Sequence, residues 1–193
     1  MVTHSIDKHG ELLVVCGLSG SGKSTLARHA LAAFPSSLQY MNTITTRPRR
    51  QDEDNIEYTF MSDDEYDQAK SAASLWDESL IYGNRYGLDA GVYRERMNQG
   101  ENFIVCSIPS NDIVKEMGMV YRREYMKTIH LLTDLELSRE RMRRRDLVVS
   151  LGRVAIDAAM NMADFQADYF LRPSRSLGSD KENFVRLVRD IIV

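Results

Sequence analysis

Nine consecutive residues, Gly17-Leu18-Ser19-Gly20-Ser21-Gly22-Lys23-Ser24-Thr25, constrain this chain more than any other feature in it. They satisfy the phosphate-loop pattern G-x-x-x-x-G-K-[ST], which demands a strand before it and a helix after it. Both are predicted. Residues 12–16 form a continuous apolar run of the kind found in strands covered on both faces, and 24–34 carry a helical pattern stopped by Pro35. The glycines let the backbone curl until its N–H groups converge on phosphate, and the helix adds its positive N-terminal end. Lys23 supplies a mobile charge for the β and γ phosphates, and the Ser24 hydroxyl suits Mg²⁺. Residues 17–25 are therefore the expected ATP-binding segment, with Lys23 catalytic and Ser24 the metal ligand.

The remaining apolar runs alternate between short β-rich stretches and longer helical patterns, which predicts an α/β fold on a central parallel sheet. Strands are expected at 38–43, 103–108 and 126–132, with an edge strand at 169–171. Helices are expected at 89–97, from the Thr133/Asp134 caps to about 145, and again from about 153 to 168. Ser179 and Glu182 have capping-box spacing, so the last helix is predicted to start there and turn Phe184, Leu187, Val188 and Ile191 inward. Between 45 and 84 the chain becomes polar, acidic and aromatic, as an inserted lobe would. Trp76 reads as packing rather than as a platform for a base. The 193 residues fit one domain: a core of about 10–43, 89–145 and 153–193, a lobe of about 44–88 and a lid of about 145–153.

Charge narrows the partners. Lys and Arg number 25 against 28 Asp and Glu, so no global grip on nucleic acid or an anionic membrane is expected, and an anionic ligand must meet a local cluster. Cys16 and Cys106 each fall in a strand-like run, as small buried thiols do. A reduced protein follows. The absence of a signal-like or membrane-length apolar stretch adds the expectation of a cytoplasmic, soluble chain, monomer or homodimer. His4, His9, His29 and His130 show no ligand spacing.

What receives the phosphate is read downstream. Thr43-Ile-Thr-Thr-Arg47-Pro-Arg-Arg50 follows the second strand, Tyr58-Thr-Phe lies in the lobe, and Gly83-Asn-Arg-Tyr86-Gly closes it. Arg47 and Arg50 offer guanidinium forks suited to a phosphate monoester, and Tyr58 and Tyr86 can add neutral donors. In order and in type these segments resemble the Ser-x-x-Thr-Arg-x-x-Arg, Tyr-x-Phe and Gly-Asn-x-Tyr-Gly elements of the guanylate kinase family. With the phosphate loop and a similarly placed C-terminal helix, the resemblance covers nearly the whole chain. It implies phosphoryl transfer from Mg²⁺·ATP to a nucleoside monophosphate, GMP first, within a P-loop three-layer fold bearing an acceptor lobe and a lid. By position Thr43, Arg47, Arg50, Tyr58, Asp77 and Tyr86 would bind the acceptor, and Arg141, Arg145 and Arg153 would contact the transferring phosphoryl.

The departures bear on the substrate. Where the family reads guanine with a serine, a glutamate and a later Ser or Thr, this chain has Thr43, Asp77 and Leu88. The first two keep a hydroxyl and a carboxylate, whereas Leu88 can make no hydrogen bond. Cys106 and Ile108 stand where the family's third strand carries an acid pair, and the lid is short. Two other readings stay open: a kinase resembling the ribose 1,5-bisphosphate phosphokinases, and a non-catalytic binding module. The intact Lys23-Ser24 pair counts against the second.

Overall fold

A computed structural model describes residues 9–50, 53, 55–81, 83–107, 110–145, 165–174 and 176–193, without the side chains of Ile81, Arg144 and Arg145. Among them β1 (Leu12–Gly17) lies at the centre of a five-stranded parallel sheet. On one side it pairs with β7 (Phe103–Ser107), which pairs with β2 (Gln39–Tyr40). On the other it pairs with β8 (Met126–Leu131), which carries the edge strand β9 (Tyr169–Leu171).

The alternation of strand side chains explains why β1 is apolar throughout. Leu12, Val14 and Cys16 face a cluster with Met97, Val114, Met117 and Tyr121, drawn from α3 (Ala90–Asn98) and α4 (Asn111–Tyr121). Leu13 and Val15 face the opposite cluster, with Leu26, Ala27 and Ala30 of α1 (Lys23–Ala33) and Phe184 and Val188 of α6 (Leu177–Ile192). Both faces are covered, as a parallel sheet requires. Asp89 caps α3 by accepting from the Gly91 and Val92 N–H groups, and Asp134 accepts from Glu136 N–H at the start of α5 (Leu135–Arg145).

Two sequence expectations are corrected. The second strand does not run through 38–43: pairing with β7 ends at Tyr40, and Thr43–Thr45 is β3 of a separate sheet. The chain leaves the core at this point. Buried Met41 anchors one side, while Asn42 turns outward and donates to the Asn55 and Ile56 carbonyls at 2.8 and 3.1 Å. The last helix begins at Leu177, not at Ser179, and no side chain caps it. Asp180 is diverted to the Ser174 N–H at 2.9 Å, and the Ser179 hydroxyl meets that of Ser176 at 3.3 Å. Of the predicted inward residues, Phe184 and Val188 are fully buried, while Leu187 and Ile191 pack partly. The predicted helix at 153–168 and the lid at 145–153 lie almost wholly outside the described residues.

The inserted segment folds into a second sheet in the order β4 (Tyr58–Phe60), β3, β6 (Asn84–Asp89), β5 (Trp76–Ile81). Helix α2 (Asp63–Ala72) starts in a full capping box, with Ser62 and Glu65 each bonding the other's backbone N–H. Tyr66 of α2 is fully buried and meets Trp76 edge-on at 5.2 Å, with Arg85 over its ring. Trp76 therefore packs the lobe.

Candidate functional site

The site opens at the carboxyl ends of β1 and its neighbours, where an α/β sheet leaves a crevice. Straight after β1 the loop turns through Gly20 (φ 78°) and Gly22 (φ 100°), both in the left-handed region. A Cβ at Gly20 would lie 2.5 Å from the Ser138 carbonyl oxygen, so α5 packs on bare backbone there. Gly17, Leu18 and Ser21 are buried, Ser19, Lys23 and Ser24 half-buried, and Thr25 exposed. Lys23 Nζ curls back to donate to the Gly17 and Leu18 carbonyls at 2.8 and 2.9 Å. Arg141 reaches the loop from α5: its Nη1 donates to the Ser21 carbonyl at 3.2 Å and its Nη2 to that of Ser174 at 3.1 Å. Arg145 closes α5 with its side chain outside the described residues, and Arg153 lies outside them altogether.

Of the residues expected to bind an acceptor, Thr43, Tyr58, Asp77 and Tyr86 lie on one face of the second sheet. Register pairs Thr43 with Tyr58, Thr45 with Tyr86, and Asp77 with Leu88, and cross-strand partners share a face. The other face, with Gly87 and Arg85, belongs to α2. Tyr58 and Tyr86 meet edge-on at 6.0 Å. Arg47 lies between rings, 5.3 Å from Tyr58 and 5.2 Å from Phe60. Its two terminal nitrogens bind both oxygens of Glu53 at 2.9 Å, and Arg50 adds its backbone N–H at 2.9 Å and its guanidinium at 3.5 Å. Burial works to raise the Glu53 carboxyl, but the two arginines prevail and hold it below its ordinary value. One carboxylate thus occupies a two-arginine fork of the geometry that suits an oxyanion.

Asp77 shares that face at its far end, toward α4. Burial, and then the charge of Glu116, raises its carboxyl above the ordinary value. Leu88 is buried in the core cluster beside Met41 and Ala90, so its side chain supports the lobe's root and offers a ligand nothing polar.

Residues that the sequence reading passed over complete the site. Glu57, just before β4, is buried; its Oε2 accepts from the Ser24 hydroxyl at 2.6 Å and its Oε1 from Arg28 Nε at 2.9 Å. Cys106 lies against the same point, its N–H donating to the Tyr40 hydroxyl at 3.2 Å and its thiol pushed up to about 12, chiefly by burial. It is neutral at any working pH. His130 is buried beneath the loop, with burial and then Lys23 lowering its pKa, so it adds no charge. Ile108 lies outside the described residues. A signal for Glu53 was present, an acid three residues beyond Arg50. None marked Glu57, whose partners are 33 and 29 residues away.

The guanylate kinase family model matches residues 9–115, more than half of the chain. Curated relatives described as guanylate kinases include one from Chlorobium luteolum, 33% identical over 54% of this chain and 53% of the relative. Another, from Symbiobacterium thermophilum, is 32% identical over 70% of this chain and 61% of the relative. The chain thus spans little more than half the length of these relatives. Among solved structures, a guanylate kinase from Anaplasma phagocytophilum superposes with a TM-score of 0.66 over 96% of this chain and 86% of that one, at 18% identity. A gluconokinase from Sinorhizobium meliloti 1021 reaches 0.53 over 95% of this chain and 96% of that one, at 13% identity. The likeness to these structures is one of fold.

Proposed function

This chain belongs to the guanylate kinase family, and from that premise we propose that it transfers the γ-phosphoryl of ATP to the phosphate of a nucleoside monophosphate, GMP first. The observation that carries the reading is the Arg47/Arg50 fork closed on Glu53, on the lobe face shared with Thr43, Tyr58 and Tyr86. An acceptor phosphate entering this fork competes with a carboxylate of like charge and planar oxygen geometry, and the two tyrosines add donors without further charge.

In-line phosphoryl transfer needs positioning and charge neutralisation more than covalent help, and an attacking phosphate oxygen needs no general base. Lys23 exchanges its two loop carbonyls for phosphate oxygens. Arg141, already at the loop, shares the developing charge with Arg145 and Arg153. The residues present suit Mg²⁺: Ser24 offers a hydroxyl oxygen at the first turn of α1, and its O–H donates to a carboxylate. Held there by Ser24, Mg²⁺ would supply positive charge that offsets the charge of the donor phosphates. Around it the loop residues 17–25 hold the donor phosphates through backbone N–H groups.

The test is release of ADP on mixing with ATP and each of GMP, dGMP, AMP, CMP, UMP and ribose 1,5-bisphosphate. Turnover with GMP alone or best is expected. Turnover only with ribose 1,5-bisphosphate would overturn the choice of acceptor in favour of the second reading. Leu88, buried where a base-reading hydroxyl would stand, is the observation that supports that alternative. No turnover with any acceptor would favour a binding module.

A further inference from the structure

A phosphate-loop hydroxyl that ligates Mg²⁺ does so with an oxygen lone pair, which leaves its O–H to donate a hydrogen bond to a carboxylate, and a carboxylate beside the site helps to balance the cation's charge. The sheet strand beside β1 could deliver such an acid, and β7 does not: at the level of the loop it presents Cys106. A carboxylate is nevertheless there. We propose that Glu57, carried by the acceptor lobe, is the metal-site carboxylate of this protein, in place of an acid on the core sheet.

Three observations converge on that assignment. Glu57 Oε2 accepts the Ser24 proton at 2.6 Å, which leaves the Ser24 lone pairs free to turn toward a cation on the phosphate side. Its other oxygen is fixed by Arg28 Nε at 2.9 Å, from the residue one helical turn beyond Ser24 on the same face of α1. The side chain is only 7% exposed although it enters from a polar turn, and its backbone is held there, the Glu57 carbonyl accepting from Thr43 N–H at 3.1 Å. A salt bridge with Arg28 alone would account for one carboxylate oxygen. The second oxygen is spent on Ser24, the hydroxyl that the loop pattern assigns to the metal. Mg²⁺ keeps several waters and takes phosphate oxygens as ligands, so a hydroxyl with one carboxylate, directly or through water, is a sufficient protein contribution.

The assignment rests on the reading of the loop as a Mg²⁺·nucleotide site, and the experiment separates the two. ADP affinity of the full chain is measured by calorimetry in EDTA and in Mg²⁺, for wild type and Glu57→Gln, with Mn²⁺ resonance spectra of the ADP complexes alongside. Glutamine keeps the size and one acceptor oxygen but drops the charge. The expected result is ADP affinity in EDTA within about twofold of wild type and a metal-dependent gain reduced about tenfold or more, with an altered Mn²⁺ spectrum. An unchanged gain would overturn the proposal, as would equal losses in EDTA and in Mg²⁺, which would make Glu57 a strut for α1. Should Glu57→Gln fail to fold, Glu57→Asp is measured instead. It keeps the charge but withdraws it by one methylene, and the same loss of gain at constant EDTA affinity is expected, an unchanged gain again overturning the proposal. A wild-type chain that binds no ADP in either medium would remove the nucleotide reading and this assignment together.

Discussion

Lys23 makes two carbonyl contacts within its own loop, to Gly17 and Leu18, so the ammonium rests at the loop where it is proposed to meet phosphate. Removing it leaves the loop backbone intact. Lys23→Ala is accordingly expected to lower kcat by at least about a hundredfold while the chain remains folded, as judged by circular dichroism; near-normal turnover would contradict its role. Arg47 is held differently, by a bidentate pair with Glu53 between two rings. Arg47→Ala should raise the acceptor KM about tenfold or more, as loss of charge-assisted hydrogen bonds does, and lower kcat as well. Steady-state kinetics with the acceptor varied would show it, and an unchanged KM would take Arg47 out of the acceptor site. Both residues were singled out in the sequence by motif spacing alone. Glu57 was not: its meaning arises only when Ser24, Arg28 and the turn before β4 are folded together, and no local pattern encodes that meeting.

At the scale of elements, legibility followed burial. The central strand β1 is a continuous apolar run because helices cover both faces, and β1, β7, β8 and β9 were read to within a residue, whereas β2 ends three residues before its expected end. The lobe strands are short and half-buried, so Thr43–Thr45 was absorbed into the preceding strand and the second sheet went unseen. Caps divide in the same way. Ser62 and Glu65 form the reciprocal bonds that their spacing allows, whereas Ser179 and Glu182 have equal spacing but sit inside a helix that has already begun. Ser62→Ala should therefore cost about 1 kcal/mol of stability and Ser179→Ala less than about 0.5 kcal/mol, measured by urea denaturation. Equal losses would mean that the C-terminal helix starts where its sequence spacing suggests.

Among the described residues the molecule has a five-stranded core sheet and a four-stranded second sheet, with the phosphate-loop motif following the first and the proposed acceptor face on the second. Fold class and the order of the parts followed from the alternation of strand and helix patterns. The contacts between the two bodies did not, since they join residues far apart in the chain. Chief among these contacts is the Ser24–Glu57–Arg28 junction, and Glu57 is joined by a single peptide bond to Tyr58 on the acceptor face. With the roles proposed for Ser24 and Tyr58, a shift of this dipeptide would reach both ligands. Linkage then requires reciprocity: whatever factor Mg²⁺·ADP applies to acceptor affinity, the acceptor must apply to Mg²⁺·ADP. Paired calorimetric titrations in either order should return one common factor different from unity, and a factor of one would mean that the junction transmits nothing. If the factor favours joint occupancy, a donor nucleotide alone meets an incompletely assembled site, and water is a poor competitor for its γ-phosphate until the second substrate arrives.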